Sequence, residues 1–329
     1  MQYSATYVVD AVDTDGAVDF SLSFTDDAGN VVAGALDNGD LTAGTTVTVD
    51  NTRPTVVLTR NAVTNGSFSG TNDNAVSFDI SFDEDVSGFT LSDIILNLGG
   101  ATINGVGTNG LAGDNGGFGA SISLATDVAN SDYTLTVSNV AGDGTLGITL
   151  TASAFTDNAG NQMAANATSN NFTLDNTLPT VVITRNAVSS GSFTGTNDNA
   201  VSYDIAFSEP IVPGDFTIAD DITITSAATV GGSNLVNDGD NQNYTLNLTG
   251  ISGDGDITIT IKSAGASPIT DFSGNAMAAD EGPSDAFTID NTAPQATVLT
   301  IASNNVTNTD RGITGNTITL SLTVNDDLS

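Results

Sequence analysis

Residues 50–82 read DNTRPTVVLTRNAVTNGSFSGTNDNAVSFDISF, and residues 175–207 read DNTLPTVVITRNAVSSGSFTGTNDNAVSYDIAF, with 26 identities in 33 aligned positions. The opening returns a third time as DNTAP at Asp290. Asp175 follows Asp50 by 125 residues and Asp290 follows Asp175 by 115, a repeat of domain size and much longer than a solenoid unit. Inside it, AVSFDISF alternates apolar and polar side chains and is rich in β-branched and aromatic residues, which predicts a strand with one buried face. NGS, GDG, DNAG and NDGD punctuate such runs as turns. Pro54, Pro179 and Pro294 stand at the start of each first strand, where a missing N–H does least harm. No segment has the periodicity of an amphipathic helix. Six or seven short strands in a unit of about 115–125 residues predict an all-β chain of antiparallel β-sandwiches.

The later part of the unit repeats as well. YTLTVSNVAGDGTLGITLTASAFTDNAGN starts at Tyr133, YTLNLTGISGDGDITITIKSAGASPITDFSGN at Tyr244, and YSATYVVDAVDTDGAVDFSLSFTDDAGN at Tyr3. The chain therefore reads as the C-terminal part of one repeat (1–50), two complete repeats (51–175 and 176–290) and the N-terminal part of another (291–329), in a linear array.

The 329 residues include 39 acidic and 5 basic side chains, for a net charge of −34, yet only 13% of the chain is charged. The acids have almost no Lys or Arg to pair with. Such a chain repels nucleic acid and anionic lipid, and metal cations are the natural means of neutralising it. An apolar fraction of 39% is enough to build cores. Cys is absent, so no disulfide can staple the fold. No stretch approaches the roughly 18 apolar residues of a membrane helix, so membrane insertion is not expected. MQYSATYVVD has neither a basic nor an apolar region of a signal peptide.

Three features recur in fixed order: D-N-T-x-P at the junction, F-x-E/D-x-V/I after the second strand in FDEDV and FSEPI, and D-x-x-G-N in TDDAGN, TDNAGN and TDFSGN. On these motifs the whole chain resembles the bacterial immunoglobulin-like tandem repeats of giant Gram-negative surface adhesins and other repetitive extracellular proteins. The resemblance implies immunoglobulin-like sandwiches stiffened by calcium, on the bacterial cell surface.

An immunoglobulin-like strand order gathers alternate loops at one pole. With AVSFDISF as the second strand, Asp83, Glu84 and Asp85 open the next loop. With YTLTVSNV as the fifth and GITLTASAF as the sixth, Asp157 opens the loop that follows. Asp50 ends the preceding unit. These carboxylates are expected to meet at the junction, an all-oxygen set that suits Ca2+ with backbone carbonyls and water completing the shell. Asp175, Glu209 and Asp271 repeat the arrangement. Asp290 has Asp326 and Asp327 beside it, and Asp26 holds the corresponding late position in the first fragment. Asp143, Asp254 and Asp256 are expected to be turn residues at the opposite pole. Arg60 and Arg185 are read as local ion pairs with the abundant acids. A second metal position is considered near Asp73 or Asp198.

Catalysis finds no support: without His or Cys there is no imidazole base and no thiol nucleophile. Trp is absent and Tyr numbers 5, which argues against a sugar-stacking surface. The expected function is a structural one, an extender or stalk segment of a long extracellular adhesin or surface fibre. Its partners would be neighbouring repeats of the same polypeptide or fibre, with cell-surface or matrix contacts made by domains outside this chain. A self-assembling extracellular filament or surface-layer subunit is the alternative.

Overall fold

The structure, a computed structural model, describes residues 2–44, 46–113, 118, 121–126, 130–263 and 265–325. The chain divides into two compact units, Met1–Thr177 and Leu178–Ser329, each holding one complete sandwich.

In the first unit the sandwich has seven main strands: β1 (Val56–Arg60), β2 (Ala75–Phe82), β3 (Ile94–Gly99), β4 (Ile122–Thr126), β5 (Asp132–Ser138), β6 (Gly144–Leu150) and β7 (Phe172–Leu174). One antiparallel sheet has the order β1-β2-β5-β4, and in the other β6 pairs with both β3 and β7. This is the strand order of an immunoglobulin-like sandwich. Its core follows from the alternation in the sequence. Val76, Phe78 and Ile80 lie opposite Val137, Leu135 and Tyr133, and all six are buried against Leu146, Ile148 and Leu150 of β6. Each such side chain contributes about 1.5–3 kcal/mol on burial.

The second unit repeats the order with β8 (Val181–Arg185), β9 (Ala200–Phe207), β10 (Ile222–Ser226), β11 (Gly232–Asn237), β12 (Asn243–Thr249), β13 (Gly255–Ile261) and β14 (Phe287–Ile289). The sheets are β8-β9-β12-β11 and β10-β13-β14. The single α-helix among the described residues is one turn, Ile218–Asp221.

Each first strand begins two residues after its proline, at Val56, Val181 and Ala296. Strand β6 ends earlier than GITLTASAF suggests. Thr151 leaves the ladder to donate its N–H and hydroxyl to the Asp93 carbonyl, and Phe155 turns into the core at 2% exposure. The last strand of each sandwich is also gripped from outside its sheet. Thr71 forms a parallel bridge with Leu174 and Thr196 with Ile289, and Asp175 and Asp290 donate their N–H groups to the Thr71 and Thr196 carbonyls.

The flanking segments carry little core. Residues 2–50 hold one short strand pair, Gly16–Ala17 with Thr48–Val49, and leave Tyr7, Val8, Val12, Phe20 and Phe24 exposed. Residues Ala296–Ser303 and Ile318–Val324 form an antiparallel hairpin on which Leu299, Ile301, Leu320 and Leu322 are exposed.

Candidate metal centre

In the first unit three separate segments bring carboxylates together. Asp50 precedes β1, Glu84 follows β2, and Asp157 follows β6. A carboxylate oxygen from each lies within 4.8 Å of the others. Two oxygens held about 2.4 Å from one Ca2+-sized ion are at most about 4.8 Å apart, so the spacing fits a single shared cation.

Local structure explains the convergence. Val86 and Ser87 pair antiparallel with Asp157 and Thr156, and Val86 is 2% exposed. The valine of F-x-E-x-V is thus an apolar anchor that sets Glu84 beside Asp157. Two residues before Glu84 and Asp157, Phe82 and Phe155 pack edge to face in one cluster with Phe89 and Tyr133, with centroids 4.8–6.0 Å apart. The acidic segments therefore leave from an aromatic plug.

Asp157 is buried and caught in the loop it starts. Its Oδ1 accepts the N–H groups of Ala159, Gly160 and Asn161 at 2.7–2.8 Å, and its Oδ2 accepts the Asn161 Nδ2 at 2.8 Å. The same Asn161 amide donates to the Asp50 carbonyl at 3.0 Å, tying the loop to the junction residue. Gly160 takes φ +103°, a conformation glycine adopts at no steric cost. This explains the G-N ending of D-x-x-G-N.

The electrostatics are uneven. Burial pushes the Asp157 carboxyl up, but the Asn161 side chain and the three loop N–H groups outweigh it and hold the group below the ordinary range. Glu84 is pushed up, first by burial and then by the charges of Asp157, Asp50, Asp83 and Asp15. Two ion pairs occur among the described residues, Arg185–Asp285 and Lys262–Asp280, and neither is at this cluster. The arrangement can accept a metal ion through oxygen donors alone, which suits a hard cation.

The other predicted residues fall as follows. Asp83 is held by Thr55, whose N–H and hydroxyl donate to its two oxygens at 2.7 and 2.8 Å. Asp85 is exposed and lies near enough to Tyr133 for its charge to raise that phenol, after burial. Neither joins the three-residue group. In the second unit, Glu209 and Asp271 bring carboxylate oxygens within 4.8 Å, and Ile211 bridges to Asp271 as Val86 pairs with Asp157. Asp271 is 2% exposed and accepts from the Ser273 and Asn275 N–H groups and the Asn275 side chain, each at 2.8 Å. Asp26 makes the same loop with Ala28 and Asn30. The Asp175 Oδ1 accepts the Thr177 N–H, and the Asp290 Oδ1 that of Thr292. Asp326 and Asp327 lie outside the described residues.

Asp143, Asp254 and Asp256, expected as turn residues, have specific bonding partners, as do Asp15, Asp73 and Asp198. Asp143 accepts the Asn176 N–H at 2.7 Å and the Thr177 hydroxyl at 2.6 Å. Asp254 accepts the equivalent groups of Asn291 and Thr292, and Asp15 those of Asn51 and Thr52. Asp256 accepts the Thr288 hydroxyl at 2.7 Å. Asp73 holds Thr64 and Asn65, and Asp198 holds Ser189. Arg60 stacks 4.3 Å over the Phe68 ring and donates to the Asn171 carbonyl. Arg185 stacks 4.3 Å over Phe193 and pairs with Asp285 at 3.1 Å, so ring stacking accompanies the ion pair at one site and takes the place expected for it at the other.

No family model matches the sequence, and no curated protein does. Many solved structures match in shape. A marsupial T cell receptor is 13% identical over 71% of this chain and 63% of that chain, with a TM-score of 0.22. InvD of Yersinia pseudotuberculosis is 13% identical over 74% of this chain and 62% of that one, with a TM-score of 0.30. The titin domains z1z2 in complex with telethonin are 13% identical over 64% of this chain and 89% of that one, with a TM-score of 0.22. The immunoglobulin-like assignment rests on the strand order within each unit.

Proposed function

We propose that this chain is an extender segment of a long extracellular adhesin or surface fibre on a bacterial cell, stiffened by Ca2+ at the junctions between its sandwiches. The observation that carries the reading is the meeting of Asp50, Glu84 and Asp157 within 4.8 Å, from segments far apart in sequence and without an ion pair among them. Asp50 belongs to the preceding repeat and the other two to the sandwich, so one cation would tie the junction residue to the fold it enters. Ca2+ is preferred over Mg2+ because an open, irregular set of oxygens suits its loose coordination. By sequence repetition the proposal extends to Asp175 with Glu209 and Asp271, and to Asp290 with Asp326 and Asp327. It assigns no role in the ion's shell to Asp83 or Asp85. Asp26 would serve the repeat that ends at residue 50. The partners are neighbouring repeats, and chemistry is left to none of these residues.

Titration calorimetry with Ca2+ and small-angle scattering with and without chelator test this together. Saturable Ca2+ uptake and a chelator-dependent scattering profile are expected. Absence of uptake, or an identical profile in both conditions, removes the calcium-stiffening claim.

A second reading, a self-assembling extracellular filament or surface-layer subunit, is favoured by the exposed apolar face of the Ala296–Ser303 and Ile318–Val324 hairpin. Concentration-dependent fibres in electron micrographs of the 329-residue chain would reverse the ranking.

A further inference from the structure

Each Asp-Asn-Thr is held by a single carboxylate 32–36 residues upstream in sequence. The geometry is the same three times. One oxygen of Asp15, Asp143 or Asp254 accepts the Asn backbone N–H at 2.6–2.7 Å. The other oxygen accepts the Thr hydroxyl. The Asn side chain reaches back to the same turn, donating to the carbonyls of Asp13, Gly142 and Gly253 at 2.8–3.0 Å. The Thr N–H donates to the junction Asp, whose Oδ1 accepts it at 3.1–3.2 Å, and also helps to lower the turn carboxyl.

This is a relay of hydrogen bonds. The turn carboxylate fixes Asn and Thr, and the fixed Thr N–H orients the junction carboxylate. We infer that Asp15 is the positioning residue for Asp50, as Asp143 and Asp254 are for Asp175 and Asp290: each clamps the Asn-Thr of its junction and so aims the carboxylate that the cation would use. The aiming step rests on the proposed metal reading; the clamp does not. Hydrogen bonds to an ionised acceptor are the stronger kind. The three turn carboxyls are held below their ordinary range, chiefly by the Thr hydroxyl and then by the Asn N–H. Asn and Thr lie in no ladder, so without the clamp the Asn N–H and the Thr hydroxyl would turn to water.

Two measurements on the full chain separate the parts. In chelator, amide hydrogen exchange of Asn176 is followed in the wild type, Asp143→Ala and Asp143→Asn. The Ala variant should exchange at least about tenfold faster at that amide, with native circular dichroism, and the Asn variant, which keeps an oxygen acceptor, should recover part of the protection. Exchange at the wild-type rate in Asp143→Ala overturns the clamp. In the second arm Ca2+ is titrated into Asp15→Ala and Asp15→Asn. Loss of a partner that orients a ligand typically weakens metal affinity by about 10–100-fold, so Asp15→Ala should weaken one site about tenfold and Asp15→Asn less. Equal weakening by both would show that Asp15 acts by charge and overturn the positioning role. A wild-type chain that takes up no Ca2+ would overturn the aiming step with the cation reading, and the exchange arm would still decide the clamp.

Discussion

Replacing Glu84 by Gln should raise stability without metal and lower it with Ca2+. Without a cation, Glu84 faces Asp50 and Asp157 within 4.8 Å. Two unit charges at that distance repel by about 0.9 kcal/mol at the dielectric constant of water and by about 3.5 kcal/mol at an effective value of 20. Glu84 is only half-buried, so screening favours the lower figure, and two such pairs give a relief of about 1–2 kcal/mol. In scanning calorimetry with chelator the variant should melt roughly 3–8 °C higher. With Ca2+ at a thousand times its dissociation constant the wild type gains about 4 kcal/mol. A variant bound a hundredfold more weakly gains only about 1.4 kcal/mol at the same concentration, so even with its relief it should melt below the wild type. Acidity gives a second check. The Glu84 carboxyl is raised, first by burial and then by its acidic neighbours. Its favourable contribution is complete below the unfolded-state value and lost as pH rises through the folded one. In chelator, acidification into the carboxylate range should therefore narrow the gap between variant and wild type. Melting curves that keep the same order in chelator and in Ca2+ would refute the reasoning.

Asn161→Ala removes the amide that joins the Asp157 carboxylate to the Asp50 carbonyl; it should cost about 1–3 kcal/mol with or without Ca2+, read by urea unfolding. Because Asp157 is held low by these bonds against its burial, its contribution is present above the unfolded-state value and lost as pH falls through the folded one, so acid unfolding of this variant should be less steep than that of the wild type. Phe82→Ala empties the centre of the aromatic plug formed with Phe89, Tyr133 and Phe155, for a loss of about 3–5 kcal/mol that calorimetry should show in the first unit's transition. Tyr203 is fully buried and donates its hydroxyl to the Ile257 carbonyl at 2.9 Å. Its phenol is pushed by burial to about 12, so ultraviolet titration of Tyr203→Phe should lose the most alkaline tyrosine step, at a stability cost of about 1 kcal/mol.

Much of the fold was legible because burial in a two-sheet sandwich writes itself as alternation. AVSFDISF is buried at Val76, Phe78, Ile80 and Phe82, every second residue, and its strand spans the whole motif. The same rule breaks down where a strand leaves its sheet. In GITLTASAF the alternation runs on past Leu150, yet Thr151 is drawn out of the ladder by the Asp93 carbonyl. That competitor lies 58 residues away, and local pattern carries no trace of it. Arg60 shows a similar limit. An acid-rich chain suggests an ion pair, but the guanidinium instead covers Phe68 and Phe172, because a planar, weakly hydrated cation can stack on a ring as well as being attracted to its face.

The acidic end was legible in part because strand direction can be counted. A residue after the second strand and one after the sixth must emerge at the same pole if the sandwich is immunoglobulin-like, and Glu84 and Asp157 do. Which of three adjacent acids faces the junction depends on hydrogen bonding that counting ignores. Thr55 captures Asp83 with two donors, while the pairing of Val86 with Asp157 selects Glu84. Asp143 and Asp254 do stand in turns, but their hold on the Asn and Thr of the next Asp-Asn-Thr is not legible in the sequence, because Asp before Gly is an ordinary turn pair and its partners lie 33 and 37 residues away; Asp15-Gly16 carries the same ordinary pair. Read with the structure, the repeated word divides its labour. Asp presents a carboxylate at the junction, Asn and Thr fasten to the preceding turn, and Pro leads into a strand that begins two residues later. A change at any one of these positions should therefore disturb a different property, and only the Asp should govern the response to a cation directly.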